Sequence, residues 1–343
     1  MTLVGKIAVA LAFGALAGGS LVPAHAQNLT LRYSNWLPAN DYRIEGVIKP
    51  WIADVARVTE GRVNIEIMPK VVGSVAGQYD VVTDGLADLA LIVPSYQPGR
   101  FIVVEGLELP FLGDDTVKRS MATWSAYEKY LAPAGVFKEV HPLMLAASNA
   151  AHFVTRDKII ETVDEFKGMK IRTPNPAVNR TVELLGGVPV TKPLSELYEL
   201  AAGGVVDSAP LALDGVESFK LDEVWKKITY VDGGFTATVI MIAMNNGKWN
   251  QISEADRKAI TEISGAALTE RYSSVSQDKL DQVRKVLTEK GVEIRNTSPE
   301  LVENIKQVIN PVFAEWIEAA KRAGLADPDA FLREVSEASG GSY

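Results

Sequence analysis

From Ser253 to Lys290 the chain runs for about 38 residues without proline and with a single glycine, Gly265. Ile260, Ile263, Leu268, Tyr272, Val275, Leu280, Val283 and Leu287 keep a helical period through this stretch. Ser253 is placed to cap it, and Glu254 and Asp256 in the first turn face the positive helix end. A helix of that length would span ~57 Å at 1.5 Å per residue. One ordinary domain offers no face so long, so the helix is expected to lie across two lobes.

The rest of the chain alternates strand and helix signals, which sets the class as α/β. Leu29, Leu31 and Tyr33 alternate with polar residues as a strand. Ile44, Val47, Ile48, Trp51, Ile52 and Val55 recur at helical spacing, with a bend expected at Pro50. Residues 88–93 (DLALIV) read as a strand covered on both faces. The two halves also echo each other. Gly61-x-Val63 opens a strand, Tyr79 starts a helix, and Gly85-x-x-Asp88 leads into the next strand. Gly186-x-Val188, Tyr198 and Gly204-x-x-Asp207 repeat the pattern at matching spacing. Although α/β proteins repeat such units anyway, the matched intervals favour two similarly built lobes.

With 47% apolar and 23% charged residues, the 343-residue chain has the balance of a globular protein with a sizeable core. A net charge of −8 argues against nucleic acid as a partner, because phosphate binding needs a basic footprint. The absence of cysteine removes disulfides, thiolate catalysis and thiolate metal sites together. At the N-terminus, Lys6, the apolar run 7–17, Gly18-Gly19-Ser20, Pro23 and Ala24-His25-Ala26 describe a secretory signal cleaved after Ala26. The apolar run is too short for the ~20 residues that a membrane span needs. A periplasmic mature protein is expected.

Catalytic signatures are scarce: two histidines, His141 and His152, follow the signal, and no Walker loop, G-x-S-x-G elbow or dinucleotide fingerprint occurs. No metal or cofactor is expected. The most informative stretch is 167–176 (KGMKIRTPNP). A short strand ends in Thr173-Pro174-Asn175-Pro176, and the prolines stop it and start a helix with Asn175 as its cap. Arg172 therefore sits at the carboxyl end of a strand beside a helix N-terminus, where open α/β sheets bind ligands. Its guanidinium fork suits a carboxylate, in a ligand or in an internal ion pair alike. Trp36 and Tyr96 also follow strands, and their rings would sandwich an apolar ligand body or pack in a core. His152, Phe235 and Asn149, near the two expected crossings between lobes, complete this set of candidates.

The 167–176 segment, Val188-Pro189-Val190, residues 194–198 (LSELY) and 204–207 (GVVD) together resemble one family, the DctP-type solute-binding proteins of TRAP (tripartite ATP-independent periplasmic) transporters. Residues 108–112 (ELPFL), 218–221 (SFKL) and Met244-Asn245 fit as well, so the resemblance covers nearly the whole mature chain. It implies a two-lobe periplasmic-binding-protein-like fold with hinge strands and a long helix spanning both lobes. It implies an organic acid as ligand, an arginine at Arg172 pairing with the ligand carboxylate, and a membrane permease as partner.

Two departures from the family pattern stand out. Many members carry a second arginine upstream, where this chain places His152. Many have an amide or Trp-Glu after the G-V-V-D motif, where this chain runs through Leu211 and Asp214. A leucine cannot orient a polar ligand, so the pocket is expected to be less polar than one for a dicarboxylate or sugar acid. The lobes are expected at 27–149 plus 238–277 and at 150–237 plus 278–330, with hinges near 150 and 237 and a C-terminal tail from 331 to 343. The expected protein is a monomer that binds without catalysis. A secreted hydrolase or lyase acting on an organic acid, or the ligand-binding part of a sensor, are the alternatives.

Overall fold

The computed structural model describes residues 28–342; the expected signal peptide, 1–26, lies outside them. Among the described residues eleven strands form two sheets. The first contains β1 (Leu29–Ser34), β2 (Val63–Ile67), β3 (Leu89–Ile92), β4 (Val140–Ala147) and β10 (Val239–Asn245). The second contains β5 (His152–Thr155), β6 (Lys170–Thr173), β7 (Val188–Thr191), β8 (Ser208–Leu211), β9 (Lys227–Tyr230) and β11 (Glu293–Asn296).

The echo in the sequence is an echo in topology. The first sheet has the order β2-β1-β3-β10-β4. The second, read from its other edge, is β7-β6-β8-β5-β9, with β11 added outside. In each, three parallel strands are followed by one that runs antiparallel to both of its neighbours. That strand arrives from the opposite lobe: β5 directly follows β4, and β10 directly follows β9. The two crossings pair with each other, Ser148 N–H donating to Thr238 O (2.8 Å) and Ala151 N–H to Thr236 O (2.7 Å). The hinge is thus a two-stranded ribbon whose ladder joins the sheets.

Helices cover both faces of each sheet, including α1 (Lys49–Val58), α2 (Thr116–Ala126) and α3 (Pro176–Leu184). The long helical stretch is broken. It forms α4 (Glu254–Glu262), a turn, and α5 (Ala266–Glu289), 24 residues long. Gly265 adopts φ 58°, donates its N–H to Leu143 O (2.7 Å), and lies so close to Trp124 that a Cβ would meet its ring at 2.8 Å. Only glycine reaches that conformation at low cost and allows that approach. The remaining ~36 Å of α5 still crosses the molecule. Leu268 and Tyr272 pack in the core of the first lobe, and Val283 and Leu287 in that of the second.

The C-terminal expectation also needs correction. Helix α6 (Pro299–Ile309) buries Leu301, Ile305 and Ile309 in the second lobe. The chain then turns at Asn310, and α7 (Pro311–Arg322) and α8 (Pro328–Ser339) return to the first. Trp316 of α7 donates its indole N–H to Ile102 O (2.9 Å) and packs over Gly106, where a Cβ would collide with the ring. Phe331, Leu332 and Val335 of α8 are buried in the same core. Residues 331–339 are therefore the body of a docked helix, and the segment after it is tied down by Ser342 N–H donating to Phe111 O (3.1 Å), so that 331–342 is not a loose tail. The apolar stripe of α8 supplies the reason. Among the described residues no helix is long and apolar enough to cross a membrane.

Candidate functional site

Pro174 and Pro176 end β6 and begin α3 as the sequence dictates, and the Asn175 side chain accepts the Val178 N–H (2.8 Å) as N-cap. Arg172, one residue before the strand ends, is 3% exposed. Its Nε donates to Lys192 O (2.7 Å) and one Nη2 proton to Tyr96 Oη (3.3 Å). Among the described residues no carboxylate lies within ion-pairing distance of it. A guanidinium carries five N–H donors, so three remain uncommitted. Tyr96 Oη also accepts the Leu194 N–H (3.0 Å). With both lone pairs engaged, its own proton is left to donate.

Arg172 and Tyr96 line a cavity of about 60 Å³ between the lobes. The first lobe contributes Trp36, Arg43, Val93, Tyr96 and Ile240; the second contributes Ala151, Arg172, Leu194, Pro210, Leu211, Ala212 and Asp214; Ser148 and Thr238 come from the hinge. Trp36 is fixed by donation from its indole N–H to Leu91 O (2.9 Å). A larger depression of about 430 Å³ over residues 155–158 and 204–207 is an open hollow edged by charged side chains on one lobe only.

Arg43 had no place in the sequence reading. Its Nε and Nη2 grip Asp41 in a two-pronged pair (2.7 and 2.6 Å), and its Nη1 lies 3.7 Å from Asp214 Oδ2. Burial opposes the charge on Arg43, but Tyr42 and Asp41 more than offset it and hold its pKa well above the usual arginine value. Burial likewise pushes Asp41 upward, and the charge and hydrogen bonds of Arg43 overcome it, leaving Asp41 below the usual carboxylate range. Asp214 accepts from Tyr42 Oη (3.0 Å) and from Asn149 Nδ2 (2.9 Å). A basic residue just ahead of the helical run at Ile44 opposes the helix dipole, which is the local sign of acidic company.

Five of the nine expected residues, Arg172, Tyr96, Trp36, Leu211 and Asp214, line the cavity. Four do not. His152 stacks on Tyr230 (3.7 Å between ring centres), and its Nδ1 accepts the Val231 N–H (3.1 Å). Burial, with Arg284 adding to it, lowers its pKa to about 3, so it is a neutral core residue. Phe235 packs against Phe111 and Phe153. Asn149 stands behind Asp214, tying it to Ser276 O (3.0 Å). Asn175 turns its amide across the lobe boundary to the buried carboxylate of Glu108. These side chains have their polar atoms or rings committed to neighbours, which strand position alone does not reveal.

Glu105, beside that contact, is buried against the α3 N-terminus, and burial raises its pKa to about 7. An unfolded chain ionises this group near its ordinary value of 4.5. The native state therefore binds the extra proton between those two pH values, and stability falls as pH rises through them, by roughly 3 kcal/mol. Glu105→Gln is expected to match wild type at pH 4.5 and to exceed it in melting temperature at pH 8. An equal difference at both pH values refutes this.

Two similar α/β lobes, joined by crossing strands and closed over a small cavity with an unpaired guanidinium, define a solute-binding protein. Residues 33–319 match the family model of bacterial extracellular solute-binding protein, family 7 (DctP), and the chain belongs to that family. It is a TRAP-type solute-binding protein; such proteins capture small organic acids outside the cytoplasm and work with a membrane permease. It is 26% identical over 308 residues to the outer membrane transporter protein TsaT of Comamonas testosteroni, covering 90% of this chain and 91% of that one. A TRAP periplasmic solute-binding protein from Bordetella bronchiseptica with bound (R)- and (S)-mandelate superposes with TM-score 0.86 at 30% identity, covering 91% of this chain and 99% of that one. One from Rhodoferax ferrireducens with copurified benzoate gives TM-score 0.86 at 25% identity, covering 91% and 98%.

Proposed function

We propose that this protein captures a small organic carboxylate with an apolar or aromatic body and hands it unchanged to a TRAP permease. The carrying observation is Arg172, a buried guanidinium with three uncommitted donors at a cavity otherwise walled largely by Trp36, Val93, Leu194, Pro210, Leu211 and Ile240. The ligand carboxylate takes the fork of Arg172 and the hydroxyl proton of Tyr96, and its body lies against Trp36 and Leu211. The mandelate and benzoate held by the two similar structures support this class. The lobes close about the crossings near residues 150 and 237. Closure excludes water, which strengthens the ion pair, and gives the permease a shape to recognise. Residues 1–26 direct export and are removed, and the mature protein acts as a periplasmic monomer without catalysis.

The test is recovery of ligand. Mature protein is incubated with excess benzoate or mandelate, dialysed, denatured and analysed by mass spectrometry, alongside whatever co-purifies with untreated protein. One unchanged acid per chain is expected, with a raised melting temperature, since a ligand at a hundred times its Kd adds about 2.7 kcal/mol. Conversion of excess acid to product would make the protein an enzyme. Failure of every small monocarboxylate to raise the melting temperature would end the proposal.

A further inference from the structure

The cavity wall holds three charged side chains, Arg172, Arg43 and Asp214. Arg43 is already committed: Asp41 takes its Nε and Nη2, and Asp214 stands beside its Nη1. Asp214 is 3% exposed, and Tyr42, Asn149 and Arg43 all present donors to it. Burial, and then the neighbouring Asp214, push the Tyr42 pKa well above its usual value, so its hydroxyl keeps the proton that it donates. Arg43, Asp41 and Asp214 together carry one excess negative charge, so Arg43 has none to spare for a ligand. Among the described residues Arg172 is the one guanidinium of the wall with no carboxylate partner.

Resting on the reading proposed above, we infer that the site is built for a monoanion and that Asp214 excludes dianions. One carboxylate satisfies Arg172. A second carboxylate on a ligand held in this cavity would find no free cation and would face the buried Asp214 carboxylate. A neutral substituent meets no such penalty, and a hydroxyl could donate to Asp214. The chain thus carries a second guanidinium without becoming a dicarboxylate binder, because an internal acid has taken that cation's charge.

The experiment separates charge from size. A nitro group has nearly the shape of a carboxylate and no net charge, so 3-nitropropanoate is compared with succinate and 3-nitrobenzoate with isophthalate, each competing with benzoate for the mature protein at pH 7.5 by calorimetry. At least one nitro acid should bind at least about thirtyfold tighter than its diacid, and Asp214→Asn should shrink that gap to below about fivefold. The inference is overturned if a diacid competes within threefold of its nitro partner in the wild type. It is equally overturned if neither nitro acid competes, since shape would then be the filter, or if Asp214→Asn leaves the gap unchanged. Benzoate failing to bind at all would instead remove the underlying reading.

Discussion

Arg172→Ala is expected to weaken binding of benzoate or mandelate by at least a hundredfold while leaving the ligand-free protein folded. Truncating one partner of a buried, hydrogen-bonded charge pair costs about 3 kcal/mol or more, most of it from the charge left behind. In the proposed complex that charge is the ligand carboxylate between the lobes. In the ligand-free protein no such charge exists, because among the described residues Arg172 has no acidic partner. The fold gives up only the bonds to Lys192 O and Tyr96 Oη. The ligand-free melting temperature should therefore move by only a few degrees. Arg172→Lys should fall between the two, since an ammonium keeps the attraction and loses the two-pronged geometry. Calorimetry and thermal melts on the three proteins decide the matter. An alanine variant binding within tenfold of wild type would place the carboxylate elsewhere.

The second large effect is on stability. Arg43→Met keeps an unbranched apolar stem and removes the guanidinium and its charge, which leaves Asp41 and Asp214 buried without their common partner. Breaking a buried ion pair from one side costs about 3–5 kcal/mol, or a fall of roughly 5–8 °C for a chain of this size. The deficit should be largest at neutral pH and shrink towards pH 4. Asp41 is held below the usual carboxylate range by Arg43. It contributes stability above that range and loses it as pH falls; without Arg43 it simply protonates early. Adding Asp41→Asn to the variant should restore part of the loss, the pairwise term that a double-mutant cycle measures. A deficit that stays constant from pH 4 to 8 would assign the loss to packing instead.

Much of this was legible along the chain because it is local physics. The caps at Asn175 and Ser253 accept the N–H groups that their positions demand. The prolines after Arg172 had to end β6, and that ending puts the guanidinium at the sheet edge. The matched intervals of the two halves became matched strand orders. The break at Gly265 was not legible, because the apolar stripe continues on both sides and one glycine costs a helix only about 1 kcal/mol. What decided it was Trp124, about 140 residues earlier in the chain. Residues 311–322 followed the same principle: which lobe their apolar face would cover depended on where Gly106 left room for Trp316.

The amino-acid sequence by itself determined the class, the twofold plan of the lobes and the place of Arg172, since periodicity, caps and strand ends are set by neighbours a few residues apart. Only the tertiary structure decided who shares the cavity. It brought in Arg43, sent His152 and Phe235 into the core, and gave Asn175 to Glu108. The reason is that the cavity is made by segments distant in the chain that meet when the lobes close. A side chain's role there depends on which polar partners have already taken its donors and acceptors.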